Sequence, residues 1–133
     1  MRYEKLDADP PATDRELREV EEVLDSEFPA GLRGVLVDAN GVVYWDGVRE
    51  IQFLGTRGMI EAYEDHDFPE FMPGAFPFAM DGSGHFLVLA RGRGEEVHVV
   101  HAGALSWEDS RKIASSLEEF LDDPRRPEAY LAD

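Results

Sequence analysis

The stretch from Pro77 to Ala90 constrains this chain more than any other. Pro77-Phe78-Ala79-Met80 is apolar, Asp81-Gly82-Ser83-Gly84 carries turn residues, and Phe86-Leu87-Val88-Leu89-Ala90 is apolar without a polar break. Turn residues between two short apolar runs predict two strands joined by a tight connection. Side chains alternate across a sheet, so a strand apolar at successive positions presents apolar groups to both faces. Such a strand needs cover on both sides. It belongs in the middle of a sheet, with strands beside it and helices over at least one face.

The rest of the chain supplies those neighbours. Thr13 stands three residues before Glu16, which is capping-box spacing, and Leu17, Val20, Val23 and Leu24 recur at helical intervals to about Ser26 or Glu27. Pro29 ends that helix and opens a second, which carries Leu32, Val35 and Leu36 inward and stops at Asn40-Gly41. Val42–Trp45 and Val48–Leu54 flank Asp46-Gly47, a strong hairpin signal. Val48, Glu50, Gln52 and Leu54 alternate with Arg49, Ile51 and Phe53, a half-solvated pattern that suits a strand near a sheet edge. Thr56 is placed to cap a helix through Met59, Ile60 and Tyr63. The segment from Asp65 to Gly74 reads as irregular, anchored by Phe68, Phe71 and Met72. After the central hairpin, Gly92-Arg93-Gly94 turns into a strand from Val97 to Ala102. Gly103–Ser110 reads as a loop held by Leu105 and Trp107. A terminal helix follows, capped at Ser115 or beginning nearer Asp109 so as to include Ile113, and Pro124 closes it.

The predicted class is α+β, a single domain with a mostly antiparallel sheet flanked by helices. Residues 1–12 read as a poorly ordered lead-in, 13–123 as the domain, and 124–133 as a tail docked by Tyr130 and Leu131. A chain of 133 residues with 43% apolar content fits one core. With no cysteine, disulfides, thiolate zinc sites and a Cys nucleophile are excluded. No apolar run nears the roughly 20 residues that span a bilayer, and the N-terminus is charged where a signal peptide is apolar. These features predict a soluble, cytoplasmic protein.

Charge is the outlying property. The chain has 29 Asp and Glu against 13 Lys and Arg, a formal net charge of −16. Such a surface repels nucleic acid and anionic membrane and favours basic protein partners. Solubility alone is the alternative account of the same acidity.

No residue pattern announces catalysis. His98 and His101 are three apart in a predicted strand, so they leave on opposite faces and cannot share a metal. Asp65-His66-Asp67 reads as a surface loop. Asp81-Gly82-Ser83-Gly84 lacks the further ligands of a calcium loop, and Ser83 does not sit in a nucleophile elbow. Arg91-Gly92-Arg93-Gly94 reads as a hairpin turn rather than an RNA-binding element. No catalytic residue, cofactor or metal is therefore assigned. Tyr44, Trp45 and Trp107 are the candidate partner-binding residues, as exposed aromatic anchors, with the core as the alternative place for either tryptophan.

Element order, with Glu21–Gly41, the Pro77–Leu89 segment and Ile113–Leu121, resembles the SMI1/KNR4 (SUKH) family. The resemblance spans Thr13 to Asp122. It implies an α+β fold and a binding role: bacterial members resemble immunity proteins that neutralise toxins, often nucleases, by direct contact. It implies no catalytic residue. The expected function is thus a non-enzymatic binding domain with a basic toxin as partner. The rivals are a small-molecule or regulatory module with a pocket between sheet and helices, and a hydrolase built on dispersed carboxylates.

Overall fold

In a computed structural model the chain is described over residues 4–45, 47 and 50–122. Seven strands form one antiparallel sheet in chain order: β1 (Glu4–Ala8), β2 (Val42–Trp45), β3 (Glu50–Phe53), β4 (Ala75–Asp81), β5 (His85–Ala90), β6 (Glu96–His101) and β7 (Arg111–Ala114). Among the described residues five helices accompany it: α1 (Asp14–Leu24), α2 (Ala30–Asp38), α3 (Thr56–Asp65), α4 (Phe68–Phe71) and α5 (Leu117–Asp122). The α+β class read from the sequence is the class the chain adopts.

The Pro77–Ala90 stretch forms β4 and β5, fourth and fifth of seven, and both faces are covered. Phe76 and Phe86 lie on opposite faces, since Phe76 pairs with Leu89 and Phe86 stands three residues before Leu89. Phe28, at the junction of α1 and α2, packs on Phe76 with ring centroids 5.3 Å apart. On the other face Phe68 of α4 and His66 meet Phe86 at 5.4 and 4.8 Å. A bulge in β4 sets Phe78 between Phe53, at 5.4 Å, and Phe120 of α5, at 6.4 Å. The fully buried rings among them, Phe53, Phe68, Phe76, Phe78, Phe86 and Phe120, each contribute about 1.5–3 kcal/mol.

Local signals hold where the backbone needed them. Thr13 and Glu16 form the reciprocal capping box of α1, and Leu17, Val20 and Leu24 are its buried stripe. Other expectations shift. Glu4–Ala8, read as a poorly ordered lead-in, is the edge strand β1, paired with β2 from Glu4↔Trp45 to Ala8↔Val42. The β3 strand lies third of seven rather than near an edge; its half-solvated pattern reflects one open face, not an edge position. Thr56 is the first residue of α3 rather than its cap; Gly55 holds the cap position, and the Thr56 N–H goes to Asn40 Oδ1. The segment read as irregular contains α4, with Phe68 and Met72 buried but Phe71 52% exposed. Arg111–Ala114, assigned to no strand from the sequence, forms the second edge, β7. The terminal helix begins at Leu117, with Ser116 Oγ accepting the Glu119 N–H at 3.1 Å, so the capping serine is one residue later than Ser115. Asp46, Val48 and Arg49 of the first hairpin, Pro124, and the tail with Tyr130 and Leu131 lie outside the described residues.

Candidate functional site

The polar groups that chemistry would look to first are occupied in holding the backbone. Asp81 is buried at the end of β4; its Oδ1 accepts the N–H groups of Ser83 and His85 at 2.9 and 3.0 Å, and its Oδ2 lies 3.1 Å from His85 Nδ1. That carboxylate organises the β4–β5 turn. His85 and His101 pair across β5 and β6 with ring centroids 5.4 Å apart, and His101 Nδ1 accepts the Gly103 N–H. His98 leaves on the opposite face. There its Nδ1 lies 3.1 Å from Ser110 Oγ and its Nε2 3.0 Å from Glu96 Oε1. The hydrogen bond from His98, then that from Lys112, hold the Glu96 carboxyl below its usual range. Among the described residues no three His, Asp or Glu side chains are grouped to hold a metal ion. No described helix is long and apolar enough to cross a membrane.

The three candidate aromatics separate. Tyr44 is 2% exposed and packs edge-on to Phe53 at 5.5 Å; burial raises its phenol pKa, with Lys5 opposing and Asp38 adding to the shift. It belongs to the core and presents no ring to a partner. Trp107 is committed to the 103–110 loop: its Nε1 donates to Pro73 O at 2.9 Å, His98 packs against it in a T-shaped contact at 5.2 Å, and the Arg93 guanidinium lies 5.0 Å from its ring centre. Trp45, next to Tyr44 on β2, points the other way and is 38% exposed.

Trp45 stands on a part of the sheet that none of the described helices covers. The ladder aligns Glu4, Trp45 and Glu50 in one row across β1, β2 and β3, and Asp7, Val43, Gln52 and Met80 in the next. Glu4, Asp7, Glu50 and Gln52 are exposed; Val43 and Met80 are half-buried. The opposite face of the same strands is core, through Val42, Tyr44, Ile51 and Phe53. Of this patch, only Trp45 was singled out from the sequence. The β3 alternation exposes Glu50 and Gln52 as one face, but β1 carries no apolar alternation that would have placed Glu4 and Asp7 beside them.

The concavities are open. One, of about 720 Å³, lies along the C-terminal half of α1 and is lined by Glu21, Glu22, Asp25, Glu27, Arg18 and Phe28. Glu21 is partly used there, its Oε2 accepting the Phe28 N–H at 2.8 Å. Another, of about 290 Å³, is bordered by His66, Phe71 and Ala102–Leu105.

Comparison with known proteins points in one direction. The sequence model of the SMI1 / KNR4 family (SUKH-1) matches residues 11–123. A Bacillus subtilis (strain 168) protein named Uncharacterized protein YnaB is 37% identical over 60 residues, covering 45% of this chain and 40% of that protein. The chain therefore aligns with less than half of that relative's length.

Proposed function

Because the chain belongs to the SMI1/KNR4 family (SUKH-1), we propose that it is a non-enzymatic binding protein of the immunity type, which neutralises a cognate basic toxin domain, a nuclease, by direct contact in the cytoplasm. The observation that carries this reading is charge: the 133-residue chain has a formal net charge of −16. A nuclease needs a basic surface for its phosphate substrate, and opposite fields steer two such proteins together faster than diffusion alone. An inhibitor of this kind competes with the substrate by matching its sign.

The test is inhibition. The full chain is titrated against basic nuclease toxin domains encoded next to its own gene, with DNA or RNA cleavage as readout. Stoichiometric inhibition is expected, with an association rate that falls as salt rises from about 50 mM to above the Debye-screening range. Retention of a small metabolite without inhibition of any basic domain would overturn the proposal in favour of a small-molecule module.

A further inference from the structure

The open face of β1–β3 has a composition that selects its occupant. Trp45 lies in register between two exposed carboxylates, Glu4 on β1 and Glu50 on β3. Directly opposite residues on an antiparallel ladder have Cβ atoms roughly 5 Å apart, so the indole and both carboxylates act within one side chain's reach. The next row adds the Asp7 carboxylate and the Gln52 amide around the apolar Val43 and Met80. Leu6, at the register shift in β1, is also exposed. Lys5, the basic residue of β1, points to the other face, where it pairs with Asp38 of α2 at 3.2 Å.

An indole face flanked by carboxylates matches the guanidinium group, which is planar, stacks on aromatic rings and donates in-plane hydrogen bonds to carboxylates. Lysine satisfies the charge but not the stacking geometry. We infer that the open face of β1–β3, centred on Trp45 between Glu4 and Glu50, is the docking surface for an arginine-bearing segment of a basic protein. This rests on the binding reading above and names its surface. A second copy of this chain is disfavoured as occupant, because it would set carboxylate against carboxylate.

The test uses the full chain and a fluorescein-labelled hexa-arginine peptide, followed by anisotropy. Trp45→Ala and the double variant Glu4→Gln/Glu50→Gln are each expected to raise Kd by about ten-fold or more. Glu64→Gln/Glu70→Gln removes the same charge from exposed positions elsewhere and is expected to change Kd by less than about two-fold. Hexa-lysine is expected to bind more weakly than hexa-arginine. Equal losses in the two double variants, or no effect of Trp45→Ala, would overturn the assignment, as would Trp45-dependent self-association in sedimentation. The same variants are then tried as inhibitors of the basic nuclease domains. If wild type and variants inhibit alike, this surface is wrong while the immunity reading stands. If the peptide binds at Trp45 but no basic domain is inhibited, the immunity reading falls and the surface stands.

Discussion

Asn40 Oδ1 accepts the backbone N–H of Thr56 at 2.7 Å. The same amide donates through Nδ2 to Thr56 Oγ1 and to Glu16 Oε2, both at 3.2 Å. One side chain thus ties the start of α3 and the first turn of α1 to the end of α2. It also satisfies an N–H at the N-terminus of α3 that the helix cannot satisfy itself. The approach is close: a Cβ on Gly55 would lie 2.7 Å from the Asn40 carbonyl oxygen, so glycine is required there by space rather than by backbone angle.

Replacing Asn40 with Ala removes both the acceptor and the donor and leaves the Thr56 N–H unsatisfied. The expected cost is about 2–3 kcal/mol, read as a lower urea midpoint with unchanged slope. Asn40→Asp keeps the acceptor for Thr56 but sets a carboxylate against Glu16. Its expected cost is at least that of a lost donor, since the Nδ2 bonds to Thr56 Oγ1 and Glu16 Oε2 are gone and like charge replaces one of them.

Arg91 makes a second clasp. Its Nε donates to Gly74 O at 3.1 Å, Nη1 to Leu24 O at 3.0 Å and Nη2 to Ala75 O at 3.4 Å, with the guanidinium 6.0 Å from the Phe76 ring centre. The bond to Leu24 serves a carbonyl at the C-terminal end of α1, where helical carbonyls lack partners. Lysine cannot reproduce that planar fork. Arg91→Lys should cost about 1–3 kcal/mol, and hydrogen exchange should quicken at Leu24–Ser26 more than in the central strands.

The central hairpin was legible because its apolar runs are uninterrupted and its turn residues admit few backbone paths. The α1 cap was legible because Thr13 and Glu16 act locally. Elements stabilised by distant partners were not. β1 reads Glu-Lys-Leu-Asp-Ala, all exposed, and becomes a strand only by pairing with β2. β7 is four residues long, and its pairing with β6 crosses a bulge. Alternation places Tyr44 and Trp45 on opposite faces of β2, but nothing in those two residues decides which is inside. Packing decides it: Tyr44 shares its face with Ile51, its partner in β3, and with Phe53, against which it packs. The same packing leaves Trp45 on the open face, which is how the candidate site arises.

Glu96 offers a pH test at the other end of the sheet. Its carboxylate lies 3.0 Å from His98 Nε2 and 3.3 Å from Lys112 Nζ. These partners lower its pKa in the folded state. A depressed carboxyl pKa contributes stability that is present above the unfolded value and lost as pH falls through the folded one. Wild type should therefore exceed Glu96→Gln in stability at neutral pH. The gap should close on acidification below about pH 4, as measured by urea titration across that range.

Tyr44 has the opposite sign. Burial, its largest cause, raises the phenol pKa because the phenolate would be stranded among Phe53 and Ile51; the nearby Asp38 carboxylate adds to the rise and Lys5 partly offsets it. A raised pKa means that the stabilising contribution is complete below the unfolded value, about 10, and is lost as pH climbs through the folded value. Stability should thus decline above about pH 10. In Tyr44→Phe, which cannot ionise, the decline should be shallower even if the variant starts from a lower value. Thermal melts at pH 8, 10 and 11 for both proteins check this; parallel declines would mean that Tyr44 ionisation is not what alkali acts on.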